Sequence, residues 1–529
     1  MKNFRLDRFT YEIICDDELK DAKVTFEQEG QDLTVYLTAE EDRPQYINLR
    51  WDFRTEEELY VLGDAWERSY GELSFRKLSE NDRPMPWYFA ATERTEEGSA
   101  GPAQPTQPGQ PPQPSQPMRP GQTWCFGVKT QPNAFVCFRY TQDGITALVD
   151  CRNGGAGVRL EGRKIRLCTF VFREEVGKEA KPLFESLQAF CRELCDNPLL
   201  LTTPIYGGNN WYYAYGKSSY EEILRDTRLQ AEVAEGIENP PFMVIDDGWQ
   251  LNACAGPYEA NEQFRDMKAL ARDIKALGVR PGIWVRLLRD FSEKITEEMR
   301  IPRGEERTYL DPTHPAVQAY IREEIRKIRG WGYELLKHDF TTYDLFGQWG
   351  KNLTDRITAP GSWHFSDDTK TNAEIVLDLY RLILEESGDM LIIGCNTIPH
   401  LSAGLVHINR TGDDTSGREW ARTRKMGVNT LAFRLAQNKA FYLVDADCVG
   451  ILADNIPWEK NRQWLDVLSR SDTALFTSCA TLDETQKEDM KKAYLEIQKG
   501  HDLRPVDIYE NLTPSQWQDG EETITYDWE

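Results

Sequence analysis

From about residue 200 onward, short apolar runs alternate with amphipathic segments, and this pattern constrains the fold more than any other feature of the chain. The runs start near Thr203, Phe242, Arg280, Tyr333, Met390, Leu405, Ala440 and Ala474. Apolar residues at helical spacing lie between most of them, for example over residues 218–235 and 315–331. Continuous apolar strands that alternate with helices are typical of a parallel sheet covered on both faces. Eight such strands predict an α/β domain, a closed (β/α)8 TIM barrel over residues 201–480.

The first part of the chain has a different period. Over residues 33–37, 46–51 and 164–172 apolar and polar residues alternate with a period of two, which predicts an antiparallel β-sandwich over residues 1–180. Residues 99–122 consist largely of Pro, Gln, Gly and Ser and cannot bury a core. Because strand-like sequence resumes on both sides, we interpret them as a loop within the sandwich. Residues 181–200 predict a connecting helix, and residues 481–529 a helix with a short closing segment.

The charge and cysteine content exclude several classes of partner. The 529 residues include 87 acidic and 63 basic side chains, a net charge of −24 that repels phosphate backbones and anionic lipids. We therefore expect neither nucleic acid nor a membrane as a partner, and no apolar run approaches the ~20 residues of a membrane span. The 11 cysteines are odd in number and dispersed, and no apolar signal segment follows the N-terminus, so we expect reduced thiols in a cytoplasmic protein. The sequence does not decide whether the protein forms a homo-oligomer.

Polar side chains follow several of the predicted strands directly. They are Asp246, Arg286, Asp339, Cys395, Asp413 and Asp447. In a (β/α)8 barrel, residues at these strand ends form the functional face. With only 6 His in the chain and no ligand spacing among Cys and His, we expect no metal site and no cofactor.

Two of these strand ends carry carboxylates whose setting suggests a role. Asp246 and Asp247 are adjacent in a turn and can accept hydrogen bonds from vicinal hydroxyls, with the Trp249 indole near the apolar face of a sugar ring. A solvated turn or helix N-cap is the alternative. Asp339 follows Lys337 by two residues, so strand alternation places both side chains on one side. A cation there would lower the pKa of the carboxylate and keep it ionised, as a nucleophile requires; the alternative is a structural salt bridge at the barrel rim.

A third group is the run Asn409-Arg410-Thr-Gly-Asp413-Asp414-Thr415. Two crowded like charges raise the pKa of one carboxyl, which would favour a protonated acid at neutral pH. A capping loop or a calcium-type loop is the alternative, although the wider spacing of metal loops is absent.

Together these motifs resemble a known group of enzymes. The runs Val244-Ile-Asp246-Asp247-Gly-Trp249, Lys337-His-Asp339 and Arg410-Thr-Gly-Asp-Asp resemble the melibiases, the α-galactosidases and α-N-acetylgalactosaminidases of the clan that unites glycoside hydrolase families 27, 31 and 36. Residues Gly63-Asp-Ala-Trp66-Glu-Arg-Ser-Tyr-Gly71 and Pro84-Met-Pro-Trp87 resemble family 36 in particular. The resemblance covers roughly residues 1–480.

The resemblance implies a retaining hydrolysis of terminal α-linked galactose by double displacement. Asp339 would be the nucleophile and Asp414 the acid/base, since in the family an Arg precedes that residue by four positions, as Arg410 does here. Asp413 remains the competitor. Asp246 and Asp247 would hold the 4- and 6-hydroxyls of a small carbohydrate substrate. The remaining pocket residues would be Trp211, Trp249, Trp284, Arg286, Lys337, Cys395 and Arg410.

Two departures from the family pattern leave the identity of the substrate sugar undecided. Asn-Thr-Ile rather than a Gly-rich stretch follows Cys395, and Arg286 and Leu287 stand where the family often has Glu and Pro. N-acetylgalactosamine, another α-linked sugar and transglycosylation remain alternatives. A carbohydrate-binding protein on a decayed barrel is a further alternative, but the complete set of carboxylates disfavours it. Small imported oligosaccharides would suit an acidic protein of this kind.

Overall fold

The N-terminal part of the chain forms two antiparallel sheets. The computed structural model describes residues 4–52, 59–78, 83–94, 120–141, 144–175, 183–304, 307–452 and 456–529. The strands here are β1 (Thr10–Cys15), β2 (Lys23–Glu29), β3 (Asp32–Thr38), β4 (Pro44–Trp51), β5 (Leu59–Gly63), β6 (Arg76–Lys77), β7 (Met85–Pro86), β8 (Tyr88–Arg94), β9 (Pro120–Val128), β10 (Phe135–Thr141), β11 (Gly144–Asp150) and β12 (Ile165–Glu175). One sheet has the order β1-β4-β11-β10-β7 and the other β2-β3-β12-β9-β8-β5-β6.

The two sheets pack face to face, as the period of two in the sequence predicts. In β3 the side chains of Leu33, Val35 and Leu37 are buried and alternate with partly exposed ones. Trp51 of the first sheet contacts Phe126 and Phe170 of the second, both at ring-centroid distances of 5.3 Å. The result is a sandwich with an aromatic core.

The Pro- and Gln-rich segment 99–122 lies mostly outside the described residues. Its residues 99–119 are not among them, whereas residues 120–122 begin strand β9 instead of ending a loop.

The rest of the chain alternates helices with parallel strands. In chain order the elements are α1 (Leu183–Leu194), β13 (Tyr206–Asn209), α2 (Trp211–Ala214), α3 (Tyr220–Val233), β14 (Phe242–Ile245), β15 (Gln250–Asn252), β16 (Ala255–Ala260), α4 (Met267–Ala276), β17 (Arg280–Val285), α5 (Pro315–Trp331), β18 (Leu335–His338), α6 (Thr341–Phe346), α7 (Asn372–Ser387), β19 (Leu391–Gly394), α8 (Pro399–Ser402), β20 (Ile408–Arg410), α9 (Trp420–Arg422), α10 (Thr430–Arg434), β21 (Leu443–Asp445), β22 (Val449–Gly450), α11 (Trp458–Arg470), β23 (Leu475–Ser478), α12 (Glu484–Glu496), β24 (Leu503–Pro505), β25 (Gln516–Asp519) and β26 (Glu522–Thr525). Short 3-10 helices lie at Glu297–Met299, Gly350–Asn352 and Leu435–Gln437, and a π-helix lies at Thr423–Asn429.

The parallel strands close into a barrel. Their order is β21-β20-β19-β18-β17-β14-β13-β23, with the short β22 beside β23. The Ala474 amide donates to the Val444 carbonyl at 2.9 Å, and Ala474 also bridges Asp445, which joins the last strand to β21. The predicted (β/α)8 barrel preceded by a β-sandwich is therefore confirmed.

Alternation along the barrel strands separates an apolar floor from a polar upper layer. Val244, Leu335 and Ile408 belong to one buried cluster inside the barrel. Two residues further along the same strands, or just past their ends, come Asp246, Lys337 and Arg410. Because side chains two apart in a strand point to the same side, these polar groups lie above the apolar floor, at the carboxyl ends of the strands.

The segment between β5 and β6 joins the sandwich to the barrel. The Ser69 amide donates to the Thr411 carbonyl at 2.9 Å, and the Asp413 amide donates to the Ser69 carbonyl at 3.0 Å. Nearby, Asp64 forms a fully buried ion pair with Arg434 of α10 at 2.8 Å. None of the described helices is long and apolar enough to cross a membrane.

Candidate active site

A cavity of about 240 Å³ opens at the carboxyl ends of the barrel strands. The sequence-predicted site residues on its wall are Trp211, Asp246, Asp247, Trp284, Lys337, Asp339, Cys395, Arg410, Asp413 and Asp414. They come from different strands and loops of the barrel and are far apart in the sequence, so the closed sheet is what brings them together.

Asp246 lies at the bottom of the cavity in an ion pair. Its Oδ2 accepts from Lys337 Nζ at 2.7 Å and from Asn209 Nδ2 at 2.8 Å, and both charged side chains are buried. Burial lowers the pKa of Lys337, but the neighbouring Asp246 carboxylate outweighs it and raises that pKa well above the ordinary value. The lysine therefore stays charged. Its direct partner is Asp246 and not Asp339, because the long side chain reaches across the barrel interior.

Asp247 is held by the β15–β16 hairpin that follows it. Its Oδ1 accepts from the Cys254 amide at 2.8 Å and from Gln250 Nε2 at 2.5 Å, and its Oδ2 faces Cys254 Sγ at 2.9 Å. Burial and the adjacent carboxylate raise the pKa of the Cys254 thiol to about 12. The thiol therefore keeps its proton and donates a hydrogen bond to Asp247.

Asp339 is fixed by two N–H donors. The Trp284 indole Nε1 donates to its Oδ2 at 3.1 Å, and the Phe340 amide donates to its Oδ1 at 2.7 Å. His338, the preceding residue, is fully buried, and burial lowers its pKa to about 4, so the ring is neutral. A carboxylate oriented in this way on a cavity wall can act as a nucleophile or as an electrostatic stabiliser.

Arg410 connects the floor of the cavity to the Asp413–Asp414 loop. Its Nη2 lies 2.7 Å from Asp447 Oδ2 and 3.1 Å from Asp414 Oδ1. Asp447 also accepts hydrogen bonds from the Tyr212 hydroxyl and, at 2.7 Å, from the Thr415 amide. Asp447 adopts a left-handed backbone conformation with φ of 78°, which is uncommon for a residue with a side chain. Asp447 follows a predicted strand but is not among the site residues predicted from the sequence, and it lines the cavity.

The two adjacent carboxylates of this loop have different surroundings. Asp413 is paired with Arg422 at 2.8 Å and is 19% exposed, whereas the Asp414 side chain is 37% exposed. Desolvation raises the pKa of Asp414, but Arg410 and Arg68, with smaller contributions from other cations, outweigh it and hold that pKa below its ordinary value. The expected rise in the pKa of one carboxyl of the pair is not found at Asp414, because several cations surround it.

Trp249 and Arg286 do not lie on the cavity wall, contrary to the sequence prediction. Trp249 is fully buried behind the wall, where its Nε1 donates to the Trp284 carbonyl at 2.9 Å. Arg286 pairs with the buried Asp344 at 2.6 Å and covers the Phe340 ring at 3.9 Å. Both residues pack behind neighbours that do line the cavity, and so support the site without entering it.

Several residues of the cavity wall were not predicted from the sequence. They are Arg68, Tyr70, Asn209, Tyr212, Cys254, Phe340, Trp349, Lys351, Asp447 and Cys448. Arg68 and Tyr70 belong to the sandwich, within the Gly63–Gly71 motif that resembles family 36, so the signal was present but pointed to the family and not to the site. Among the described residues, no group of three or more His, Cys, Asp or Glu is arranged to hold a metal ion.

Comparison with known proteins identifies the fold. No protein-family model and no curated protein matches the sequence. An α-galactosidase from Thermus thermophilus, solved with p-nitrophenyl α-D-galactopyranoside, matches with a TM-score of 0.62 and 17% identity over 96% of both chains. The family 36 α-galactosidase AgaA from Geobacillus stearothermophilus matches with a TM-score of 0.59 and 16% identity, over 90% of this chain and 67% of that one. An α-galactosidase from Lactobacillus brevis matches with a TM-score of 0.57 and 12% identity, over 97% and 74%. The resemblance to family 36 is therefore confirmed at the level of the fold.

Proposed function

We propose that this chain is a retaining α-galactosidase that removes terminal α-linked galactose from small glycosides. The observation that carries the proposal is the position of Asp339 and Asp414 on one cavity wall, above a floor of charged hydrogen-bonding groups. The solved structures of the same fold include one in complex with stachyose and one in complex with raffinose, which supports a galactoside as the substrate.

The floor of the cavity suits a neutral sugar ring. Asp246 is oriented by Lys337 and Asn209, and Asp247 is oriented by Gln250 and Cys254. Two oriented carboxylates can accept hydrogen bonds from two neighbouring hydroxyls, and Trp211 and Trp284 offer apolar surface on the wall. We assign the 4- and 6-hydroxyls of galactose to this pair of carboxylates.

Asp339 is the proposed nucleophile. The Trp284 and Phe340 N–H donors orient its carboxylate. Attack at the anomeric carbon would form a covalent galactosyl-enzyme while the leaving oxygen takes a proton from a second carboxyl group. Water, deprotonated by that second group, would then release galactose with the α configuration retained.

Asp414 is the proposed acid/base, and Asp413 supports it. Asp413 is tied to Arg422 at 2.8 Å, and its amide is bound to the Ser69 carbonyl, so it is held in the loop. Asp414 is the more exposed of the two. Because the surrounding cations lower its pKa, its protonated form is favoured at low pH. We therefore expect turnover of unactivated galactosides to be highest on the acidic side of neutrality.

Hydrolysis of p-nitrophenyl α-galactoside tests the proposal, with the α-N-acetylgalactosaminide and the α-glucoside measured alongside. We expect turnover of the galactoside and its loss in Asp339→Ala, while Asp378→Ala, on the outer helix α7, retains it. If the enzyme prefers the N-acetylgalactosaminide, the proposed mechanism stands and the proposed sugar is N-acetylgalactosamine instead of galactose. Absence of turnover on all three substrates would contradict the proposed activity.

A further inference from the structure

A loop of the β-sandwich forms part of the cavity wall. Residues 64–71, the bridging segment, form the first part of the connection from β5 to β6 and lie against the loop that carries Asp413 and Asp414. Besides the two backbone hydrogen bonds between Ser69 and that loop, the Ser69 and Thr430 hydroxyls lie 2.7 Å apart. The bridging segment is therefore fixed in position relative to the two carboxylates.

Arg68 of the bridging segment is nine-tenths buried and faces both carboxylates. It is 6% exposed, and its Nη1 lies 3.4 Å from Asp413 Oδ1 and 3.8 Å from Asp414 Oδ1. Both distances exceed those of charge-assisted hydrogen bonds, which are about 2.7–2.9 Å. Its Nε has no hydrogen-bond partner among the residues that the structure describes. The guanidinium thus lies close to the carboxylate pair without being locked to either member.

Glu67 holds this arginine from behind. Its carboxylate is completely buried, lies 3.6 Å from Arg68 Nε, and accepts hydrogen bonds from Tyr70 Oη at 2.8 Å and from Asn396 Nδ2. A buried carboxylate with these donors fixes the orientation of the adjacent side chain and balances part of its charge.

We propose that Arg68 is a positioning residue of the reaction: from the sandwich, it orients the Asp413–Asp414 pair and balances its charge while Asp414 loses and regains its proton. This inference rests on the proposed function, because it takes Asp414 as the acid/base. Arg68 is suited to the role because it faces both carboxylates of the pair at once. Arg410 is shared between Asp447 at 2.7 Å and Asp414 at 3.1 Å, and Arg422 pairs with Asp413 at 2.8 Å.

If Arg68 has this role, its removal should change how the rates of the two reaction steps depend on pH. The charged and titratable groups around Asp414 are Arg68, Lys337, Arg410, Arg422, Asp413, Asp447 and Tyr212. Removal of Arg68 takes away one cation that favours the ionised carboxylate, so Asp414 keeps its proton to higher pH. The first step, which needs the acid form, then extends to higher pH. The second step, which needs the ionised base, becomes slower at a given pH.

The experiment compares pH profiles of kcat/KM on raffinose, an unactivated galactoside, for the wild type, Arg68→Gln and Arg68→Lys. We expect the basic limb of Arg68→Gln to move up by about one pH unit. Arg68→Lys, which keeps the charge, should stay near the wild-type profile. The matched control is Arg139→Gln, because Arg139 also extends from the sandwich to a barrel loop, at Asp355, but does not line the cavity; its profile should be unchanged.

Glu67→Gln tests the same proposal, because it should shift the pH profile in the direction opposite to Arg68→Gln. Loss of the charge behind Arg68 leaves the guanidinium free to pair more strongly with Asp414, so the basic limb should move to lower pH. This variant also serves if Arg68→Gln does not fold, as judged by its circular dichroism and melting temperature.

The outcomes separate this inference from the proposed function. A wild type without turnover on any α-galactoside contradicts both. An active wild type that needs Asp339, but whose pH profile is unchanged in both Arg68→Gln and Glu67→Gln, overturns the role of Arg68 alone. Equal shifts in Arg68→Gln and Arg68→Lys would also overturn it, because the effect would then not depend on the charge.

Discussion

Asp413 and Asp414 are neighbours in sequence, yet the structure gives them different surroundings. One is tied to Arg422, and the other faces the cavity beside Arg410. From the sequence alone this difference was not predictable, because the cations come from the sandwich, from two barrel strands and from a helix after the loop. The sequence motif indicated a carboxylate pair next to an arginine, and it left the choice between the two open.

Whether Asp414 or Asp413 is the acid/base can be tested by how strongly the activity of each variant depends on the leaving group of the substrate. Asp414→Ala should lose about 10²–10⁴-fold of kcat/KM on raffinose, since no acid protonates the leaving oxygen. On an activated aryl galactoside, which needs little protonation, the first step should be largely preserved. Asp413→Ala is the control and should affect both substrates to a similar degree. If Asp413→Ala instead shows the selective loss, the acid/base is Asp413.

Cys254 provides a second test at this scale, because it lines the cavity but holds its proton. Its pKa of about 12 predicts that iodoacetamide alkylates it slowly up to about pH 9, since the thiolate is the reactive form. Peptide mass spectrometry of the alkylated protein measures this. Rapid modification at neutral pH would contradict the hydrogen bond from Cys254 to Asp247.

At the scale of elements, the strand ends are what sequence analysis predicts best. A period of two places Leu335, Lys337 and Asp339 on one side of the sheet, and the structure has Leu335 in the apolar floor and the other two on the cavity wall. The same reasoning fails for Arg286, which follows Trp284 by two residues but pairs with Asp344 of α6. Alternation fixes the side of the strand, whereas the partner of a long side chain depends on packing between elements.

In the loop after β20, Gly412 packs so closely against the Met426 backbone that a larger residue should not fit. A Cβ added to Gly412 would lie 2.2 Å from the Met426 carbonyl oxygen, so Gly412→Ala must displace the loop that carries Asp413 and Asp414. We expect loss of most activity and a destabilisation of about 1–3 kcal/mol. Gly330→Ala in α5 is the control, since its Cβ would have no described atom within 4 Å, and it should be neutral or slightly stabilising. Urea unfolding and galactosidase assays measure both, and full activity of Gly412→Ala would contradict the close contact.

At the scale of the whole molecule, the sandwich and the barrel share both a core and a site. The sequence predicted each fold separately, but it could not predict that residues 64–71 enter the barrel's cavity, because contacts between segments hundreds of residues apart leave no periodic signal. Trp87 of the sandwich stacks on His400 of the barrel at a centroid distance of 5.0 Å, and Asp64 is paired with Arg434. We therefore expect the two parts to unfold together.

The Asp64–Arg434 ion pair tests this expectation. Asp64→Ala leaves a buried arginine without its carboxylate and should cost about 3–5 kcal/mol of unfolding free energy. Asp196→Ala breaks an exposed pair with Lys129 and should cost less than about 1 kcal/mol. Calorimetry should show one transition in the wild type, with a lower melting temperature in Asp64→Ala. Two separate transitions in the wild type would show that the parts are independent.

The most direct test of the whole account is to trap the covalent intermediate. An activated fluorogalactoside of α configuration forms the glycosyl-enzyme faster than water can break it down. The ring fluorine slows both steps, because both have oxocarbenium-like transition states, and the good leaving group accelerates only the first. After peptic digestion and mass spectrometry, we expect a single fluorogalactosyl adduct on the peptide that contains Asp339, and none in Asp339→Ala. An adduct on another carboxylate, or turnover that yields β-galactose as the first product, would contradict it.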